Sequence, residues 1–330
     1  MNKPAIMHAL QLQALNRLVE AEVPMPQAGP GEVLVRTVAT TICTSDLFDI
    51  AENRFHIKLP RILGHEGAGE IVACGMGVTS LHPGDLVAAH PVVPCLQCAE
   101  CKRGYRHLCS QMGHLGHDRE GTFAEYFVHR ADRVFKLPAN LPVATGSLLE
   151  PVAVCLEAIA RAGDIKDRVV LVVGDGPFGN LIARLAVRAG AGRVLVSGRE
   201  PFRLQRIPGA EIIETIIPRS VDVSILAVSA PPAVQDCLKA LRPRGRLVIF
   251  SAVFDPMPID LFSLHLSELE IVGSCNDEDR VDEALECLSD PELALQGIIT
   301  HYIPFSNWKQ AFELARNGQD KALKIALVFD

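Results

Sequence analysis

Four cysteines of this 330-residue sequence stand close together in one polar segment. They follow the spacing C-x2-C-x2-C-x7-C within PCLQCAECKRGYRHLC and are Cys95, Cys98, Cys101 and Cys109. Four thiolates in so short a loop suit one tetrahedral Zn2+, whose closed sulfur shell stabilises a segment that has few apolar residues to bury. An iron–sulfur cluster also takes four cysteine thiolates, and four unrelated buried cysteines are a third interpretation. We expect a structural zinc in a lobe at about 91–112.

A second set of metal-ligand side chains is spread along the chain. His65 and Glu66 stand in GHEGAGEIVACG, downstream of Cys43 in TICTSD. Glu150 follows much later, in LLEPVAV. Each residue alone has an ordinary explanation, such as a buried cysteine or a carboxylate at a helix start. Together they supply the sulfur, nitrogen and oxygen ligands of a catalytic zinc that keeps one position open, where the ion acts as a Lewis acid.

A glycine-rich turn follows the apolar run 169–173 and precedes an amphipathic segment. It reads GDGPFG, and its candidate coenzyme contacts are Gly174, Gly176, Pro177, Phe178 and Gly179. Between a strand and a helix, the first glycine of such a motif allows the tight turn and the second lets the backbone approach a pyrophosphate. The third lets the helix pack on the strand, and the helix N-terminus faces the phosphates. The segment therefore predicts a dinucleotide site.

The next apolar run, 193–197, ends where a fold that prefers NAD usually carries an acidic residue for the ribose 2′-hydroxyl. Here the chain has Ser197, Gly198 and Arg199, with Arg203 shortly after. Guanidinium groups match a 2′-phosphate in charge and donor geometry. Two exposed arginines without a ligand are the alternative. We expect NADP(H) to be preferred over NAD(H).

Two later strand ends add candidate coenzyme contacts. The apolar run 221–228 ends at Val228, and the run 245–251 ends at Ser251. Ligands of open parallel sheets bind at the carboxyl ends of the strands, although ordinary loops explain these two segments equally well.

Two kinds of domain are needed to position these motifs. Short extended runs separated by Gly and Pro fill 1–150 and predict an irregular, barrel-like β-domain. Buried apolar runs then alternate with helical segments, which is typical of a doubly wound α/β fold. We expect a catalytic domain at 1–150, a coenzyme domain at 151–292, and a return to the first domain at 293–330.

One crossover in the second domain is unusually short. Only 214–220 separate the apolar runs that surround it, whereas a helical crossover between parallel strands needs a dozen or more residues. We therefore expect one helix to be missing and the uncovered face to contact another subunit, in a homodimer or homotetramer.

Composition limits the partners and the compartment. Lys and Arg number 32 against 39 Asp and Glu, for a net charge of -7, so the chain has no basic excess for nucleic acid. No apolar run is long enough for a membrane span or a signal peptide. A reducing cytoplasm is expected, since metal-binding thiols must stay reduced.

Taken together, these motifs resemble the medium-chain, zinc-dependent alcohol dehydrogenase family, and its polyol (sorbitol-like) branch in particular. The resemblance covers essentially the whole chain, and the stretches that carry it are ICTSD, LPRILGHEGAGEIVACG, HPGDLVAAHPVVPCLQCAECKRGYRHLC, GTFAEYFVHRADRVFKLP, LLEPVAVCLEAI and VVLVVGDGPFG. It implies a GroES-like catalytic domain and a Rossmann coenzyme domain. Glu150 stands where ethanol-type enzymes have a cysteine ligand, and this favours the polyol branch.

The resemblance also implies residue roles. Cys43, His65 and one of Glu66 or Glu150 would hold the catalytic zinc, and Ser45 would begin a proton relay. Zinc would bind the substrate oxygen and favour the alkoxide, which donates hydride to the nicotinamide.

Two departures from the family pattern lie near Cys43. Phe48 replaces the usual relay histidine, and Thr44 replaces a frequent glycine.

The implied function is oxidation of a secondary alcohol of a polyol, sugar or cyclitol, or reduction of its ketone. A threonine-like amino-alcohol dehydrogenase and an aldehyde reductase are alternatives on the same scaffold. A non-catalytic protein that binds zinc and nucleotide is the alternative from another class.

Overall fold

The computed structural model describes residues 5–330. Its strands are β1 (Ile6–Ala14), β2 (Arg17–Pro24), β3 (Glu32–Thr41), β4 (Arg61–Ile62), β5 (Glu66–Cys74), β6 (Leu86–Ala89), β7 (Val92–Val93), β8 (Gly113–His114), β9 (Tyr126–Arg130), β10 (Val134–Lys136), β11 (Val169–Val173), β12 (Arg193–Ser197), β13 (Glu211–Ile212), β14 (Val221–Leu226), β15 (Leu241–Ile249), β16 (Glu270–Gly273), β17 (Ile299–Pro304) and β18 (Lys324–Val328). Its α-helices are α1 (Thr44–Glu52), α2 (Ala99–Lys102), α3 (Val143–Gly146), α4 (Leu149–Ala162), α5 (Pro177–Arg188), α6 (Pro201–Leu204), α7 (Pro231–Ala240), α8 (Leu261–Ser267), α9 (Val281–Ser289) and α10 (Trp308–Asn317).

The first of two compact units comprises Met1–Glu150, Ala284–Ser289 and Ile299–Asp330. Its main sheet has the order β10-β6-β5-β3-β18-β17, and β9 pairs with β3 beside this path. A smaller sheet has the order β2-β1-β4. The buried side chains of both sheets are mainly aliphatic, with Phe123 and Phe127 the largest among the fully buried ones. The unit is therefore a mainly antiparallel β-domain, closed by a late chain segment whose strands β17 and β18 pair in parallel.

A close approach of strands β3 and β5 depends on small residues. A Cβ added to Gly69 would lie 2.0 Å from the carbonyl oxygen of Arg36 on β3, a distance that no side chain tolerates. The glycines that follow His65 therefore let β5 lie against β3 in the register that pairs Thr41 with Glu66.

The second unit comprises Pro151–Glu283 and Asp290–Ile298. Its six-stranded sheet is entirely parallel, in the order β13-β12-β11-β14-β15-β16. The central strand β11 is almost completely buried, as expected for a strand covered on both faces. This order reverses next to β11, at the place where open α/β sheets bind their ligands.

The predicted fold class is confirmed: a mainly antiparallel β-domain and a doubly wound parallel sheet follow each other along the chain. The strands β11 and β12 have the predicted bounds, 169–173 and 193–197. The short crossover is also confirmed, because 213–220 contain no helix. Part of this segment covers the sheet instead, since Ile213 and Ile216 pack on the apolar cluster below it.

Strands β2 and β17 are among those that the sequence patterns did not predict. Strand β2 alternates between apolar and charged residues from Val19 to Val23 but has no buried residue, and β17 begins directly after a helical turn. Within residues 5–330, no helix is both long and apolar enough to cross a membrane.

Candidate active site and metal centres

Three predicted ligands of the catalytic zinc meet in the first unit. One ligand atom from each of Cys43, His65 and Glu66 lies within 4.8 Å of the other two, and all three residues are buried. A zinc ion with bonds of about 2.0–2.3 Å needs ligand atoms at such separations. Glu66 is the first residue of β5, and Cys43 directly precedes α1, so the pairing of β3 with β5 brings the two together. The group fits one metal ion with a mixed sulfur, nitrogen and oxygen shell.

Asp46 positions two of these ligands from the first turn of α1. Its Oδ2 accepts a hydrogen bond of 2.8 Å from the backbone N–H of Cys43, and its Oδ1 lies 3.4 Å from Nδ1 of His65. Burial by itself would lower the pKa of His65, but Asp46 and Cys43 outweigh it, and the pKa is raised well above the ordinary value. A carboxylate that faces one ring nitrogen leaves the other nitrogen for a metal.

Glu66 is held by two polar partners in the sheet. Lys324 Nζ donates to its Oε1 at 2.7 Å, and the Thr41 hydroxyl donates to its Oε2. Both charged groups of the ion pair are almost completely inaccessible. Burial lowers the pKa of Lys324, whereas Glu66 and Cys43 raise it, and the net shift is upward. Sequence reasoning missed Lys324, because a lysine at the start of an apolar strand carries no signal of burial.

Glu150 and Ser45 occupy the surroundings of this group. Glu150, the second residue of α4, stands outside the three-residue ligand group but is near enough to raise the pKa of Lys324. Ser45, the second residue of α1, is half-buried, as is Phe48 one turn later.

Two histidines that the sequence did not single out lie against His65. The ring of His114 stacks on that of His117 at 4.3 Å between centroids, and the His65 ring lies 5.5 Å from His114. Nε2 of His117 lies 3.5 Å from Oδ2 of Asp49. Burial raises the pKa of Asp49 to about 6, and burial together with His65 lowers the pKa of His117 to about 4. An acid and an imidazole thus face each other beside the metal ligands.

The four-cysteine lobe is built for one metal ion. Its four sulfur atoms lie within 4.8 Å of one another, and Sγ of Cys98 lies 3.8 Å from Sγ of Cys109. A tetrahedron with Zn–S bonds of about 2.3 Å has edges of about 3.8 Å, whereas a disulfide needs about 2.05 Å. An iron–sulfur cluster distributes its thiolates over several irons, which such a compact set does not suit. The lobe is a structural zinc site.

Backbone N–H groups point at these sulfurs. The N–H of Cys98 donates to Sγ of Cys95 at 3.3 Å, and that of Gln111 donates to Sγ of Cys109 at 3.3 Å. A similar bond from the N–H of Cys101 lowers the pKa of Cys98 to about 6. These bonds therefore favour the thiolate form of Cys98, which is the form that binds metal, whereas burial raises the pKa of Cys101 to about 12.

The remaining cysteines are outside both ligand groups. All ten are free thiols. Cys155, Cys237 and Cys287 are buried, Cys74 is half-buried and Cys275 is exposed. Burial raises the pKa of Cys237 to about 12, as expected for an inert core thiol.

The glycine-rich turn of the second unit connects β11 to α5. A Cβ on Gly179 would lie 2.0 Å from the carbonyl oxygen of Gly174, and a Cβ on Gly174 would meet that of Ala227 at 2.5 Å. Gly176, in contrast, has open space where its Cβ would be. Pro177 is the first residue of α5, and Phe178 is half-buried behind it. Gly174 and Gly179 thus allow the close packing of the turn. Gly176 leaves room for a ligand over the helix N-terminus, which fits a dinucleotide.

The other predicted coenzyme residues lie at the carboxyl ends of neighbouring strands. Ser197 ends β12, Gly198 and Arg199 follow it exposed, and Arg203 is half-buried on α6. Strands β14 and β15 end at Leu226 and Ile249, two residues before the predicted ends, and at the same edge because both run parallel to β11. There, Val228 and Ser251 are both half-buried.

Removal of one cysteine from the four-cysteine lobe should cost one zinc ion per chain. We expect Cys98→Ser to lower the zinc content from two ions to one, because a three-sulfur shell is no longer closed. Cys74→Ser, which changes a thiol outside both groups, is the matched control and should keep two. Elemental analysis of the purified proteins measures this, and an unchanged zinc content in Cys98→Ser would contradict the assignment.

Loss of Lys324 should destabilise the first unit. Lys324→Met leaves the buried carboxylate of Glu66 without its countercharge, which costs about 3–5 kcal/mol of unfolding free energy. Lys58→Met, an exposed lysine on the same unit, should change it by less than about 0.5 kcal/mol. Denaturant unfolding measures both variants. Equal unfolding free energies of the two variants would show that the Lys324–Glu66 pair does not stabilise the fold.

Comparison with known proteins agrees with this fold. The model for the alcohol dehydrogenase GroES-like domain matches residues 29–139, and that for zinc-binding dehydrogenase matches residues 177–290. The chain is 34% identical to L-threonine 3-dehydrogenase of Pyrococcus abyssi, over 92% of either chain. It is 30% identical to sorbitol dehydrogenase of Bacillus subtilis, over 98% of this chain and 96% of that one.

A solved structure shows the same architecture. Galactitol-1-phosphate dehydrogenase of Escherichia coli superposes with a TM-score of 0.89 at 27% identity, covering 98% of this chain and all of that one. With a buried Cys–His–Glu ligand group, a four-cysteine zinc lobe and a Rossmann sheet, the chain belongs to the zinc-containing medium-chain alcohol dehydrogenase family of NAD(P)-dependent oxidoreductases.

Proposed function

We propose that this enzyme interconverts a secondary alcohol of a polyol, sugar or cyclitol with its ketone. The observation that carries the proposal is the buried group of Cys43, His65 and Glu66, which has a carboxylate, Glu150, nearby instead of a further cysteine. Likeness to enzymes named for sorbitol and galactitol 1-phosphate supports the polyol class. When bound there, zinc supplies a Lewis acid that polarises the substrate oxygen.

The residues around the ligands have separate tasks in this proposal. Asp46 orients His65, and Lys324 with Thr41 holds Glu66 in place. Cys43, His65 and either Glu66 or Glu150 would hold the zinc, and the other carboxylate would bind a water molecule or take the place of the first as ligand. The buried surroundings keep bulk water away and strengthen each of these electrostatic contacts.

The proton of the substrate hydroxyl needs a route to solvent, since Phe48 cannot carry it. We place its first acceptor at the hydroxyl of Ser45. Asp49 lies four residues further along α1, on the same helix face, and its carboxyl faces Nε2 of His117. With a pKa of about 6, Asp49 exchanges protons readily near neutral pH.

The domain roles follow from the positions of the two sites. We propose that 1–150 with 293–330 form the catalytic domain, which includes the zinc lobe at about 91–112, and that 151–292 form the coenzyme domain. NADP(H) is proposed as the preferred coenzyme, supported by Gly198 in place of an acid and by Arg199 and Arg203 close to it. The ten free thiols support a reducing compartment such as the cytoplasm.

A substrate panel tests the reaction. Sorbitol, other polyols, cyclitols and L-threonine are assayed with NADP+ and NAD+, and we expect the highest kcat/KM for a polyol or cyclitol. Threonine is the second candidate, because the chain is 34% identical to a threonine dehydrogenase.

Two variants connect turnover to the proposed residues. Cys43→Ala should abolish turnover and remove the second zinc, whereas the control Cys74→Ala keeps both. Ser45→Ala should lower kcat by roughly 10²–10⁴-fold, the usual contribution of a positioned proton acceptor, and leave zinc content unchanged. Absence of turnover with every substrate, in protein that carries both zinc ions, would favour the non-catalytic alternative.

We also propose that the enzyme is a homodimer or homotetramer. Helix α8 has no buried residue, and it exposes Leu261, Phe262 and Leu266 to 64–72%. Exposed apolar side chains so close together are typical of an interface.

Light scattering during size-exclusion chromatography should give a mass of two or four chains of 35.8 kDa. Phe262→Ser should shift it toward one chain, and Phe55→Ser, an exposed phenylalanine elsewhere, should not. A monomeric wild-type protein would contradict the proposal.

A further inference from the structure

The carboxylate that the end of β12 lacks is supplied by another segment of the coenzyme site. In dinucleotide folds, an acidic residue about 20 positions after the glycine-rich turn binds the adenosine ribose 2′-hydroxyl. Gly198 stands at that position and has no side chain to offer. A Cβ built on Gly198 would lie 2.5 Å from Cβ of Asp175 and 2.6 Å from its Oδ2. The space of a strand-end side chain is therefore occupied by the side chain of Asp175, from the glycine-rich turn.

Asp175 is held there by the backbone. Its Oδ2 accepts hydrogen bonds from the N–H of Arg199 at 2.5 Å and from the N–H of Glu200 at 2.7 Å. The side chain is half-buried, and both of these bonds go to the same carboxylate oxygen, Oδ2. Two adjacent backbone N–H groups are a typical anion-binding arrangement. In this chain, the anion that they bind is an internal carboxylate.

Gly198 and Asp175 depend on each other. Gly198 does not have a left-handed backbone conformation, so an alanine would fit the backbone there. A larger residue would collide first with Asp175, since the three atoms nearest to the built Cβ all belong to that side chain, at 2.5–2.8 Å. The glycine thus makes room for the carboxylate.

We propose that Asp175 is a coenzyme-selectivity residue, which binds the ribose 2′-hydroxyl of NAD(H) and opposes the 2′-phosphate of NADP(H). A 2′-phosphate would compete with it for the two backbone N–H groups and would be repelled by its charge. Arg199 and Arg203 act in the opposite direction. Selectivity is then the balance of one carboxylate against two guanidinium groups, and Asp175 keeps NAD(H) usable even where the arginines favour NADP(H).

Binding of two adenosine nucleotides tests this inference without any turnover. It rests on the proposed function only in that a nicotinamide dinucleotide is the coenzyme. Calorimetric titration of the zinc-loaded protein with 5′-AMP and with adenosine 2′,5′-bisphosphate isolates the ribose contact. Asp175→Asn retains the shape and an acceptor oxygen but removes the charge. We expect it to raise the affinity for the bisphosphate relative to 5′-AMP by roughly tenfold or more, as for a hydrogen bond to a charged group.

A second variant approaches the same contact from the other side. Gly198→Ala should displace the Asp175 carboxylate and shift the ratio of affinities in the same direction. In the Asp175→Ala background, the same change should have no further effect, because the contact is already absent. Asp236→Asn, which removes an exposed charge from helix α7 of the same unit, is the control and should change the ratio by less than about twofold.

The ratio of kcat/KM for NADP+ to that for NAD+ should follow the binding ratio once a substrate is known. Unchanged nucleotide affinities in both Asp175→Asn and Gly198→Ala would overturn the selectivity role, whether or not the enzyme turns over a polyol. Altered affinities in protein that turns over no substrate would support the selectivity role of Asp175 and contradict the proposed reaction.

Discussion

The antiparallel register of three adjacent strands, β5, β3 and β18, is the constraint on which the catalytic metal site depends. It pairs Thr41 with Glu66 on one side of β3 and with Ala326 on the other. Cys43 follows Thr41 by two residues, and Lys324 precedes Ala326 by two. Strands β3 and β18 are nearly 300 residues apart in the chain, yet the register places their polar groups around one buried carboxylate. A shift of one residue in either pairing would turn these side chains to the other face of the sheet.

That arrangement concentrates charge where water is excluded. Glu66, Lys324, Asp46 and His65 are all buried, and an isolated ion there would be costly. Each one faces a partner of opposite charge or a hydrogen-bond donor, so the cost is offset within the group. The same contacts restrict the side chains to one orientation, which a metal site with an open position requires. Stability and preorganisation thus come from the same hydrogen bonds.

The two units show different degrees of predictability. In the second unit, apolar runs buried on both faces and a glycine-rich turn have strong local signals, so the bounds of β11 and β12 were predicted exactly as they are found. In the first unit, strands such as β2 have no buried residue and therefore no apolar run that stands out in the sequence. Sequence spacing also predicted the zinc lobe, because four cysteines within one loop can reach a common ion without help from distant residues.

The sequence by itself determined the fold class, both sets of metal-ligating side chains and the presence of a dinucleotide turn, because each of these depends on residue types at short spacing. Only the tertiary structure decided which distant groups join them: Lys324 beside Glu66, His117 beside Asp49, and Asp175 in the space that Gly198 leaves. The sequence has no acidic residue at the end of β12, but the fold places the carboxylate of Asp175 there from the glycine-rich turn. Strand pairing and loop closure bring such residues together across long stretches of chain. The spacing of residues along the sequence does not predict these long-range contacts.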